Sequence, residues 1–278
     1  MRALVLMGLV AAVQAGVALP LTGQQGDPDA GTWQLEGLRT SFCVQLLLDP
    51  ASAALQDLPP GFRPVPASEV RDLPVSLRGV VEGQPEFASW SPSRVCVHTV
   101  DTIRTKEFAL ADRSGRHPQL FATWTVEAAD PGGAIREVAL DLFANSGRLI
   151  RAARLAGQVV REARLTIGKV PAEDENGVPS SDDRFQVKVG KTTVTWDGRL
   201  AGDSVPVPQP VLLAWAVTAV RGQAAEGRIS LTPIYARSMV GSLKVDGKDA
   251  LAKALRASPT RFAGPAYGGG AGSITFTR

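Results

Sequence analysis

Leu120-Phe121-Ala122-Thr123-Trp124-Thr125-Val126-Glu127-Ala128, followed by Asp130-Pro131-Gly132-Gly133 and then the run Ile135 to Phe143, decides the fold class. The first run alternates through Phe121, Thr123, Trp124 and Val126, the period of a half-buried strand. The Pro-Gly-Gly segment is a turn, and the second run returns as the partner strand, so the unit reads as a β-hairpin.

Further strands are predicted on both sides of it. Upstream they cover Trp33 to Leu48, strongest at Ser41–Leu48, and Val95–Phe108. Downstream they cover Val159–Val170, a tight hairpin of Phe185–Val189 and Thr192–Trp196 around Gly190-Lys191, and Val211–Val220, expected to be buried on both faces. Gly227–Tyr235, Ser242–Val245 and Ser273–Thr277 complete the set. Three short helices interrupt the strands. Asp49-Pro50 starts the first, since Asp can cap and Pro suits the first turn. Its apolar residues are Ala51, Ala54, Leu55 and Leu58, and Pro59-Pro60-Gly61 stops it. Asn145-Ser146 caps the second, closed by Gly157, and Asp246 to Arg256 forms the third. The expected class is mainly β (α+β): a large β-barrel or folded sandwich with about three short helices, in one domain over residues 33–278. An outer-membrane barrel would need lipid-facing aromatic girdles, and only 6% of residues are aromatic.

The N-terminus predicts export. Met1-Arg2 is a short positive region, and Ala3 to Val13 is an uncharged run within the roughly 7–15 residues of a signal core. Two small-residue cleavage sites follow, Val13-Gln14-Ala15 and Gly16-Val17-Ala18, so residues 1–18 read as a signal peptide. The alternative, a membrane anchor, needs about 20 apolar residues; Gln14 and Pro20 cut this run short. Residues 19–32 are expected to be a disordered lead-in, and no transmembrane segment is expected after cleavage. The destination is the periplasm or the extracellular space. In an oxidising compartment Cys43 and Cys96 are expected to form a disulfide; the alternative is two buried thiols.

Charge is balanced, 30 Lys+Arg against 27 Asp+Glu. No basic block suits a phosphate backbone, so nucleic acid is not an expected partner. The arginines at 148, 151, 154, 161 and 164 fit a solvated helix face running into a strand. Catalytic motifs are missing. His98 lies at an alternating strand position and His117 in a loop, and neither has the surroundings of a triad. There is no Gly-x-Ser-x-Gly elbow, no phosphate loop and no Cys/His set for zinc, so neither a cofactor nor a metal is expected. Glu173 to Gly177 reads as a solvated acidic loop, and Gly268 to Gly272 as a turn before the last strand. Lys106 and Lys169 lie in or at the end of strands and are the lysines on which a Schiff base could form.

Two stretches carry a family resemblance. Asp49-Pro50-Ala51-Ser52-Ala53-Ala54-Leu55-Gln56-Asp57-Leu58-Pro59-Pro60-Gly61-Phe62 resembles the early helix and Leu-Pro-x-Gly turn of the acetoacetate decarboxylase superfamily. Ala153-Arg154-Leu155-Ala156-Gly157-Gln158-Val159-Val160-Arg161-Glu162-Ala163 resembles the place where that family carries its Pro-Lys-Lys segment. The resemblance implies a cone-like β-barrel with helices packed outside. It also implies a Schiff-base lysine, but this chain has Val159, Val160 and Arg161 there, and arginine stays protonated. What the resemblance leaves is a pocket, with Arg154 or Arg161 as an anion anchor. The first functional expectation is an exported, non-catalytic protein that binds a small carboxylate or apolar ligand. The second is a decarboxylase-like enzyme using Lys106 or Lys169. The third is an envelope-associated interaction domain without a small-molecule site.

Overall fold

The computed structural model describes residues 33–277 except 37–40, 101, 105–108, 112–118, 156, 171–182, 207–210, 219–223, 233–234, 264–265 and 269–270. In chain order, β1 (Trp33–Glu36) and β2 (Ser41–Leu48) precede the two-residue strand β3 (Arg63–Pro64) and helix α1 (Val75–Gly83). β4 (Ser91–Val100), β5 (Thr102–Arg104) and β6 (Ala109–Ala111) lead to the central hairpin, β7 (Gln119–Ala129) and β8 (Ile135–Ala144). Helix α2 (Gly147–Leu155) is followed by β9 (Arg161–Glu162), β10 (Leu165–Val170), β11 (Asp183–Val189) and β12 (Thr192–Pro206). Then come β13 (Val211–Thr218), β14 (Ala224–Thr232) and β15 (Tyr235–Asp246). Helix α3 (Ala250–Ala257) precedes β16 (Arg261–Ala263), β17 (Ala266–Gly268) and β18 (Ala271–Thr277).

The strands form two sheets. A 13-stranded sheet runs β16-β2-β4-β7-β8-β13-β14-β18-β1-β5-β6, with β3 beside β7 and β9 beside β8. A five-stranded sheet runs β10-β11-β12-β15-β17. Pairing is antiparallel except where β8 meets β13 and β9. The protein is therefore mainly β with three α-helices. Neither sheet closes into a barrel among the described residues.

Alternation in β7 explains how the sheets stack. Leu120, Ala122, Trp124 and Val126 join Phe42, Val44, Leu46 and Leu48 of β2 in the main core. Facing them are Val187, Val194 and Trp196 of the smaller sheet and Leu251 and Leu255 of α3. The opposite face of β7 carries Phe121, Thr123, Thr125 and Glu127. The first three are buried as well, so the strand is covered on both sides.

Among the described residues, part of the large sheet itself comes over that second face. Trp215 of β13 is level with Glu137 of β8, which pairs with Glu127 of β7. Phe121 lies six residues along β7 from Glu127, about 20 Å at a strand's rise. Yet the Phe121 and Trp215 rings stack with centroids 6.2 Å apart. A flat sheet cannot bring them together; the sheet must coil over this face.

Several expectations change. The stretch after Asp49-Pro50 forms only a 3-10 turn, Ala53–Asp57, bounded by extended Ser52 and by extended Leu58 ahead of Pro59. The third α-helix is instead α1, where Leu77, Val80 and Val81 form a one-turn apolar stripe against Leu47 and Leu73, too short to stand out as a periodic pattern. Val159–Val170 is not one strand. At Ala163-Arg164 the chain passes from one sheet to the other: the Ala163 amide donates to Ala144 O, and Arg164 O accepts from the Gly190 amide. The predicted helices at 145–157 and 246–256 correspond to α2 and α3. Gly157 (φ 82°) ends α2, with its amide donating to Arg154 O. Residues 1–32 and the acidic loop at 173–177 lie outside the described residues.

Candidate functional site

Under the coil, β4, β7 and β8 present polar side chains in register. Arg94 of β4 pairs with Thr125 of β7. Glu127 of β7 pairs directly with Glu137 of β8. Arg94 Nη2 is hydrogen-bonded to Glu137 Oε1 in an ion pair, with both side chains mostly buried. Thr125 Oγ1 lies 3.4 Å from Glu137 Oε2 and 3.5 Å from Arg94 O. Arg94 thus pairs with one carboxyl group, Glu137, and the second, Glu127, faces that glutamate across the strands.

The backbone around the cluster is fixed from both sides. On the core face, Ser93 Oγ donates to Thr125 O at 2.6 Å and accepts from Trp124 Nε1 at 3.2 Å. Where β7 passes from Trp124 to Thr125, the β7–β8 register shifts, since Trp124 faces Asp141 while Thr125 faces Ala139. Such bulges re-aim side chains, often beside functional sites. The turn that sets Glu127 against Glu137 is built on Asp130. Its Oδ1 accepts from the Gly132 and Ala134 amides, both at 2.9 Å, and Gly133 takes the left-handed φ of 85°. These amides, with Arg136 at 3.0 Å, hold the Asp130 carboxyl below its usual range.

Electrostatics separate the two glutamates. Burial and repulsion from Glu137 push Glu127 up from 4.5 to about 7, against the pull of Arg94. A carboxyl in that range exchanges its proton at neutral pH. His98, four residues along β4 from Arg94, is fully buried. Burial and the Arg94 charge lower it to about 3, so it stays neutral. Between them on the same strand lies Cys96, bonded to Cys43 of β2 with Cα atoms 4.1 Å apart. The expected disulfide is present.

Arg161 is largely exposed, and its Nε bonds Asp141 Oδ1 at 2.9 Å. Burial raises Asp141 to about 6, with Arg161 pulling it down and Asp57 pushing it up. Asp57 ends the 3-10 turn whose Ala54 belongs to the main core. Arg154 is exposed in the last turn of α2, with Nη2 3.3 Å from Val160 O. Val160 is buried and Val159 exposed. Lys169 lies on β10 opposite Phe185, in the five-stranded sheet rather than the large one. Lys106 and His117 lie outside the described residues. Arg94, Glu127 and Glu137 were not singled out from the sequence. The available signal was charge at the ends of strands whose middles are apolar, which also fits a solvent-facing edge.

A large, mostly antiparallel sheet backed by a smaller one corresponds to the acetoacetate decarboxylase-like fold. No protein-family model and no curated protein matches the chain. Solved structures do match over nearly its whole length. The enduracididine biosynthesis enzyme MppR complexed with pyruvate aligns at TM-score 0.51 and 13% identity, covering 94% of both chains. The same enzyme with HEPES buffer bound aligns at 0.51 and 13%, covering 98% of this chain and 97% of that one. Acetoacetate decarboxylase from Legionella pneumophila subsp. pneumophila str. Philadelphia 1 aligns at 0.50 and 12%, covering 99% and 96%. At these identities the likeness defines the fold. The resemblance read from the two sequence stretches and the fold agree.

Proposed function

We propose that the chain is an exported protein that binds a small carboxylate or oxo acid against Arg94, Glu127, Glu137 and Thr125. The observation that carries this reading is the enclosed Arg94–Glu137 pair with a second carboxyl, Glu127, holding its proton near neutral pH. A carboxylate entering there meets guanidinium N–H groups and an acid O–H, both charge-assisted donors. The matched MppR structure holds pyruvate, which supports a ligand of that size. Isothermal titration with pyruvate and acetoacetate tests it: binding is expected, and Arg94→Gln weakens it at least about tenfold. Heat release unchanged by Arg94→Gln would place the ligand elsewhere.

A second reading is favoured by the fold, since the matched structures are enzymes. It is a decarboxylase-like activity through a Schiff base. The lysines available to it are Lys106 and Lys169, and Arg154 or Arg161 would then serve as the anion anchor. Borohydride trapping with acetoacetate should label a single lysine; a protein that stays unlabelled while binding the ligand leaves the non-catalytic reading. Export is supported by the Cys43–Cys96 bond, which persists in oxidising compartments. Mass spectrometry of the mature protein should find a new N-terminus after Ala15 or Ala18.

A further inference from the structure

We propose that this site takes up a proton together with its carboxylate ligand, and that Glu127 is where the proton resides. The inference rests on the carboxylate-binding reading above and concerns how that site is regulated. Its basis is the register. Glu127 and Glu137 face each other directly across β7 and β8, and Arg94, opposite the neighbouring Thr125, forms its ion pair with Glu137. One guanidinium cancels one carboxylate. With Glu127 ionised the cluster is net negative, and an arriving anion would make a third carboxylate around one arginine. With Glu127 protonated the cluster is neutral and offers a donor O–H.

The charged and titratable groups around Glu127 are few among the described residues. From β4 come Arg94 and the neutral His98, and from β8 comes Glu137. β3, beside the Glu127 end of β7, brings Arg63, whose side chain is exposed and 3.6 Å from Glu69. Arg136, level with Ala128, binds Asp130 and Glu226 instead. Among the described residues no further cation faces Glu127, and the proposal gives that role to the proton. In the bound state the ligand carboxylate accepts from the Glu127 O–H and from Arg94, and the proton comes from solvent. No covalent bond changes.

Calorimetry with pyruvate at pH 8 in phosphate and in Tris, whose ionisation enthalpies differ, counts the protons. The expected result is uptake approaching one proton at pH 8 and close to none at pH 6. Affinity then falls towards tenfold per pH unit above neutrality. Glu127→Gln, which mimics the protonated acid, should bind with no buffer dependence and no pH dependence from 6 to 8. Binding without proton uptake in the wild-type protein overturns this proposal while leaving the carboxylate site intact. Uptake that persists in Glu127→Gln overturns the assignment to Glu127. Failure of pyruvate to bind at any pH overturns the carboxylate reading, and this one with it. If Glu127→Gln does not fold, the wild-type titration still decides proton uptake, and Glu137→Gln, which removes the repulsion on Glu127, should shift the pH dependence to lower pH; an unshifted profile overturns the assignment.

Discussion

Glu127 is the residue on which the proposed carboxylate site turns, and its burial has a sign that can be measured. Its folded-state pKa is raised from 4.5 to about 7. Between those values the native state binds more protons than the unfolded chain, so stability falls as pH rises through that window. Glu127→Gln removes the penalty and is expected to stabilise the protein by roughly 1–3 kcal/mol at pH 8, and by little at pH 4. His98 acts in the opposite direction. Its pKa is lowered from 6.5 to about 3, so its stabilisation is present above 6.5 and lost on acidification towards 3. In wild type the two windows partly cancel. In Glu127→Gln, urea midpoints should therefore fall more steeply below pH 6.5. A parallel pH profile in the two proteins would show that Glu127 is not buried as described. The sequence carried the identity of these residues but not their role. Glu127 ends an alternating run, and alternation says which side chains share a face, not whether another part of the sheet covers it. The basic residues singled out, Arg154 and Arg161, are exposed, while Arg94 begins an otherwise apolar run and drew no notice.

At the level of elements, local chemistry was legible where one turn or cap decides the outcome. The Asp130-Pro131-Gly132-Gly133 turn, the Gly190-Lys191 hairpin and the glycine end of α2 all form where their residue types require them. Helix α3 is similar. Asp249 Oδ1 accepts from the Ala252 amide at 2.9 Å and from Thr192 Oγ1, tying the helix start to β12. Asp249→Ala should cost about 1–2 kcal/mol in chemical denaturation, more than a free N-cap because Thr192 loses its partner too. Less legible were elements fixed by distant partners. The 159–170 run looks like one strand, yet its halves serve different sheets. The Cys43–Cys96 pairing was legible as an expectation, and the register shows why it forms, because the cysteines face each other on β2 and β4. Replacing both by alanine opens a loop of sequence separation 53 and is expected to cost about 2–4 kcal/mol. Unchanged stability would mean that the strand pairing alone holds β2 to β4.

For the whole molecule, the decisive feature is the coil that brings β13 over β7. Sequence periodicity cannot encode it, because coiling accumulates from strand twist over many pairings. Its sign in the chain is a glycine. Gly227 of β14 lies opposite Trp215, and a methyl group there would sit 2.2 Å from Trp215 Cε2 and Cζ2. Gly227→Ala must push the indole off Phe121 and should destabilise the protein by at least about 2 kcal/mol, with altered tryptophan fluorescence. Trp215 is level with Glu137, which faces Glu127 and bonds Arg94, so fold and site are linked. The most direct test of that link is a crystal structure grown at pH 6 with saturating pyruvate. The pyruvate carboxylate is expected within hydrogen-bonding distance of both Arg94 and Glu127. Pyruvate bound instead at the exposed Arg154 or Arg161, with the Arg94–Glu137 face empty of ligand, would contradict it.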